Sequence, residues 1–139
     1  MTTMTQPVEP IRENRRHAVK AAAFVVLFWA VAAALVATAH LQLDRSSPLA
    51  GTVLEIGVLI GVAFAYMRLA APEATVDHAL LVGIVWLLIT IIAELSIASY
   101  VHHGWYALLG TPARPVLRNV FLFVWIFGPS IFARHEAND

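Results

Sequence analysis

Polar and apolar positions fall along this chain in long blocks. Residues 1–20, MTTMTQPVEPIRENRRHAVK, are polar, with two prolines and mixed charge, and read as a tail that turns helical near Arg12. Four apolar runs follow, at 21–39, 49–67, 79–101 and 116–133. The first carries no charge, the second only Glu55, the third only Glu94, and the fourth only Arg118 near its start. At 1.5 Å per residue, runs of roughly 18–23 residues cover the roughly 30 Å hydrocarbon core of a bilayer, the fourth only just. None alternates with the period of two expected of a membrane-barrel strand. In lipid the backbone must satisfy its own hydrogen bonds, which a helix does within one segment. The pattern predicts an all-α fold, a four-helix transmembrane bundle over 21–134, with 1–20 as a polar cytoplasmic tail and 135–139 as a short C-terminal tail.

The connections suit this reading. HLQLDRSSP at 40–48 carries Asp, Ser and Pro, which stop one helix and start the next. RLAAPEATVDH at 68–78 places Pro72 to end the second helix and Thr75 or Asp77 to cap the third. HHGWYALLGTPARP at 102–115 is broken by Gly and Pro. Short links make sequential helices antiparallel, giving an up-down-up-down order. Lys and Arg placement sets orientation. With the N-terminus inside, Arg12, Arg15, Arg16, Lys20, Arg68 and Arg134 lie on the cytoplasmic side and Arg45, Arg114 and Arg118 on the outer side. The expected location is therefore a cell inner membrane, multi-pass, with both termini cytoplasmic. A rival reading takes Arg15-Arg16, the first run and Ala37-Thr38-Ala39 as an export signal with its cleavage site. The length of that run, with Trp29 and two phenylalanines in it, favours a retained helix.

Composition narrows the class. The chain is 60% apolar and 13% charged, against about 45–50% and about 25% for soluble domains, which excludes a disordered chain, a nucleic-acid binder and an ordinary soluble enzyme. Its zero formal charge supplies no field to steer a nucleic acid. The absence of cysteine excludes disulfides, thiolate metal sites and cysteine nucleophiles.

The candidate chemistry is the set of polar groups that lipid makes costly. Glu55 and Glu94 fall at matching depth, roughly 9–11 Å below the outer surface by helical rise. A carboxylate there costs about 2.5–3.5 kcal/mol on insertion scales, so each is expected to face the bundle interior and find a partner. Two carboxyls at one level could share a proton, hold a cation or bond a ligand; the plainer reading is a structural pair that fixes helix register. Arg118 is the natural countercharge, and with Asn119 it completes a candidate polar or ligand-binding centre of Glu55, Glu94, Arg118 and Asn119. His40, His102 and His103 line its mouth. Imidazoles suit haem or a transition metal, but this spacing diagnoses neither, so metal and cofactor stay open, haem being one option. Gly57 and Gly61 form a GxxxG face expected to serve internal packing, Gly128-Pro129 is expected to kink the fourth helix, and Trp29, Trp86 and Trp125 are expected to fill space.

Gly51-x3-Glu55, Gly83-x2-Trp86-x7-Glu94, His103-x-Trp105, Arg118-Asn119 and Pro129 together resemble the pattern of small uncharacterised bacterial four-helix integral membrane proteins, over about residues 49–133. The resemblance implies an integral membrane bundle with no established activity and places Glu55 and Glu94 in a shared layout. Length and helix count are also similar to the membrane glutathione-transferase and eicosanoid family. The Arg and Asn expected beside Glu in that family's second helix are missing, so its activity is not carried over.

Three functions follow as expectations. The first is a non-enzymatic accessory or ligand-binding subunit with a buried Glu/Arg centre, embedded in the lipid bilayer, as a homo-oligomer or in a larger membrane complex, with no nucleic-acid partner. The second is a proton- or cation-coupled transporter subunit using Glu55 and Glu94. The third is a haem-binding or lipid- or quinone-modifying membrane enzyme.

Overall fold

In the computed structural model the chain forms four helices, α1 (Glu9–Leu43), α2 (Pro48–Leu69), α3 (Val76–Tyr100) and α4 (Pro115–Ile131). The structure describes residues 9–43, 47–101, 106–110 and 114–134, without the side chains of 9–13 and 48. Among the described residues there is no strand, only an isolated bridge between Thr75 and Arg134. Three helices, α1, α2 and α3, are long and apolar enough to cross a membrane, and the 17-residue α4 is shorter. The helices run further than the apolar runs alone implied. α1 begins at Glu9 within the expected tail and ends at Leu43, past His40, because helical hydrogen bonding does not stop where apolar composition stops.

Local signals set the ends. Proline opens both α2 and α4, where its missing N–H would have had no helical partner. Thr75 caps α3, its hydroxyl accepting from the His78 amide at 3.5 Å. Pro129 sits in the last turn of α4, which stops at Ile131.

Pair contacts fix the directions. His40 meets Glu55 and Phe28 meets Tyr66, so α1 and α2 are antiparallel. Gly83 lies against Ile126 and makes α3 and α4 antiparallel, while Ala63 against Gly128 and Phe64 against Phe132 make α2 and α4 parallel. The up-down-up-down bundle is thus closed in the order α1, α2, α4, α3, with a thinner contact between α1 and α3. α2 and α3 are therefore diagonal, not neighbours, and they meet through large rings at the centre. Phe28, Tyr66, Trp86, Trp125 and Phe121 form an edge-to-face column with centroids 5.5, 5.6, 6.3 and 6.5 Å apart. Such pairs contribute about 0.5–1.5 kcal/mol each beyond burial. The tryptophans do more than fill space. Trp29 Nε1 donates to the Thr90 hydroxyl, and Trp86 Nε1 to the Val25 carbonyl, each at 2.9 Å, tying α1 to α3.

The glycines correct one expectation. Gly57 and Gly61 are exposed, and a Cβ at either would meet nothing within 4 Å. α2 turns Glu55, Leu59, Ala63 and Tyr66 inward, which leaves the GxxxG face outside the bundle. The close approach belongs to Gly83 instead, where a Cβ would stand 1.8 Å from the Ile126 carbonyl oxygen. Gly83→Ala should therefore lower stability by about 1–3 kcal/mol through overpacking, and Gly61→Ala should leave it unchanged, as read by unfolding in detergent.

Candidate functional site

The polar centre is assembled at the far end of the bundle, where α1 and α3 end and α2 and α4 begin. Glu55 and Glu94 are both buried there, 5% and 4% exposed. Each is engaged by the protein, by different means.

Glu55 projects from the second turn of α2 toward α1. Its Oε1 lies 3.2 Å from Nδ1 of His40, which stands in the last turn of α1. An ionised carboxylate only accepts, so with Glu55 ionised the contact uses a proton on His40 Nδ1, and with Glu55 protonated the carboxyl donates to that nitrogen. A cation in a last helical turn also faces the negative end of the helix dipole. The His40 ring is about three-quarters covered.

Glu94 projects from α3 toward the segment between α3 and α4. Residues 106–110 fold back into the bundle there as a tight turn, closed by the Gly110 amide donating to the Tyr106 carbonyl at 3.0 Å. Ala107 and Leu108 are buried. The amides of Leu108 and Leu109 donate to one oxygen of Glu94, Oε2, at 2.9 and 3.1 Å. Trp125 Nε1 on α4 donates to the Leu108 carbonyl at 2.9 Å. Gly110 ends the turn at φ +78°, a conformation that favours glycine, with its Cα side against Arg118.

Arg118 and Asn119 are placed differently from their expected roles. The ion pairs among the described residues are His40 with Glu55 and Glu73 with Arg134, so Arg118 is the countercharge of neither buried carboxylate. The reason is local: Glu94 is already turned to the loop amides, and Glu55 to α1. Arg118 lies partly covered beneath Gly110, with its Nε buried and without a hydrogen-bond partner. Asn119 is exposed on α4. Of the three mouth histidines, His40 joins the centre, while His102 and His103 lie outside the described residues. Among the described residues, no three His, Asp or Glu side chains converge to hold a metal ion.

Sequence reasoning missed the two loop amides, which have no side-chain signature. The available signal was the small Ala107 and the Gly110 in a linker otherwise too apolar for a solvated loop. It also missed a second polar contact at the opposite end, where the buried Tyr66 hydroxyl lies 3.4 Å from Nε2 of His78.

The chain matches no protein-family model, no curated protein and no solved structure. The chemistry therefore has to be read from the centre itself. Apart from the buried Arg118 Nε, its groups are engaged by one another: two amides on Glu94, an imidazole on Glu55, an indole on the loop carbonyl. Glu94→Leu would leave two buried amides without an acceptor, at about 1–3 kcal/mol each. The expected result is a large loss of stability and faster hydrogen exchange at the Leu108 and Leu109 amides. Glu94→Gln, which retains a carbonyl acceptor, should fall between Glu94→Leu and the unmodified protein.

Proposed function

We propose that the chain is a non-enzymatic integral membrane subunit whose buried acidic centre organises the bundle for an accessory or ligand-binding role. The observation that carries this reading is the occupancy of the two carboxylates by the protein's own groups. A nucleophile, general base or open metal site needs an acidic group with a free coordination or proton-accepting position aimed at a cavity. Glu94 instead spends one oxygen on two backbone amides, as a carboxylate does at a helix N-terminus, and Glu55 faces the imidazole that joins α1 to α2. Bonds of this kind fix helix register in a medium where lipid tails supply no hydrophobic force between helices.

The basic flank of α1 supports an orientation with both termini cytoplasmic, by the positive-inside rule. A four-helix unit of this size suits work within a homo-oligomer or a larger membrane complex.

One observation favours a second reading. His40 touches Glu55, and Glu94 is buried at the same end of the bundle, so titratable groups from α1, α2 and α3 lie at one level, as a proton-coupled carrier would need. Reconstituted liposomes separate the two readings. The structural reading expects His40→Leu and Glu55→Gln to couple by about 0.5–3 kcal/mol in a double-mutant cycle, with no proton flux in any variant. Proton movement that needs Glu94 and Glu55, and that disappears in Gln variants which remain folded, overturns it in favour of the carrier.

A further inference from the structure

Outside the polar centre, the bundle is not closed evenly. Between α1 and α2 runs an open groove of about 410 Å³, lined from α1 by Leu27, Phe28, Val31 and Leu35 and from α2 by residues including Val58 and Gly61. Its walls are almost wholly apolar. It exists because Gly61 has no side chain to fill it, a Cβ there meeting nothing within 4 Å.

The groove has a charged end. Lys20, Leu27 and Val31 stand at spacings of seven and four, which puts them on one face of α1. Lys20 is exposed, at the edge of the first apolar run. On α2 the groove's last residue, Ala65, is followed one turn later by Arg68, also exposed, its guanidinium held 5.6 Å from the centre of the Phe64 ring. Neither cation joins an ion pair among the described residues. From Lys20 to Leu35 the helical rise is about 22 Å, close to the roughly 20–22 Å of one leaflet with its headgroup layer.

We propose that this groove is a binding site for an acidic phospholipid, one acyl chain lying along Leu27, Val31 and Gly61 and the headgroup past the groove's end, its phosphate nearest Arg68 and Lys20 about 10 Å further along α1 in the headgroup layer. Charge complementarity and the match to one leaflet select this occupant over a second copy of the chain, which would need no anion at the groove's end. The proposal is independent of the role given to Glu55 and Glu94.

The full chain in nanodiscs of phosphatidylglycerol, or of phosphatidylcholine with the same acyl chains, provides the test, with retained lipid counted by native mass spectrometry after transfer to detergent. The expected result is one retained lipid, with phosphatidylglycerol preferred. Lys20→Gln with Arg68→Gln should remove the preference while leaving a lipid bound. Gly61→Leu should remove the bound lipid without loss of fold, because its side chain enters open space. Equal retention of both lipids by the unmodified protein, or retention unchanged in Gly61→Leu, overturns the proposal. So does a dimer that Gly61→Leu converts to monomer, which would assign the groove to a second copy.

Discussion

The bond between one carboxylate oxygen and two backbone amides governs the far end of this molecule. A turn of irregular backbone folded into a membrane bundle carries N–H and C=O groups that lipid cannot satisfy, and such a turn is tolerated only where protein supplies the partners. Glu94 supplies the acceptor for Leu108 and Leu109, and Trp125 the donor for the Leu108 carbonyl. With those groups satisfied, Ala107 and Leu108 are buried beside the first turns of α4, which at 17 residues is shorter than the other three helices. The inward turn and the buried acid are two parts of one solution.

The polar bonds and the aromatic contacts divide the work of assembly. Within the first hairpin, α1 and α2 are joined by His40 and Glu55; within the second, Glu94 and Trp125 join α3 and α4 through the turn between them. Between the hairpins the contacts are rings and indole N–H groups: Tyr66 on Trp86, Trp29 on Thr90, Trp86 on the Val25 carbonyl. Helix association in lipid relies on van der Waals contact and hydrogen bonds, so large rigid rings with a polar tip suit a seam that must join two separate hairpins. The two buried acids consequently belong to different hairpins, each engaged within its own.

Much of this was legible in the sequence, and the illegible remainder has a physical cause. Four helices follow from four apolar runs, and the burial of Glu55 and Glu94 follows from the price of charge in lipid. Helix rotation is another matter. In water an amphipathic stripe says which face turns inward, but α2 and α3 are apolar on every side, since lipid accepts the same residues as the core. Placing Gly57 and Gly61 inside the bundle was therefore a choice between two equally apolar faces, and Gly83 took the packing role instead. Pairing Arg118 with a carboxylate failed for a different reason. Counting charges treats acids as needing cations, whereas a backbone amide pair satisfies Glu94 equally well and leaves no mark in the residue pattern.

Stability is also distributed unevenly around the ring of helices. At the near end, the α2–α3 loop is bound to the end of α4: the Arg134 amide donates to the Ala74 carbonyl at 3.3 Å, and its guanidinium pairs with Glu73. At the far end the Glu94 turn locks α3 to α4. α2, α3 and α4 are thus clamped at one end or both, whereas α1 is held along α2 and at a few points on α3, with its surface from Asn14 to Phe24 uncovered by the rest of the chain. Most of that surface is polar, with Arg15, Arg16, His17 and Lys20 ahead of the apolar run that opens at Ala21, so α1 extends past the bundle here. His40 rides on this helix. Its contact with Glu55 is what fixes the last turn of α1 to α2 at the level of the polar centre.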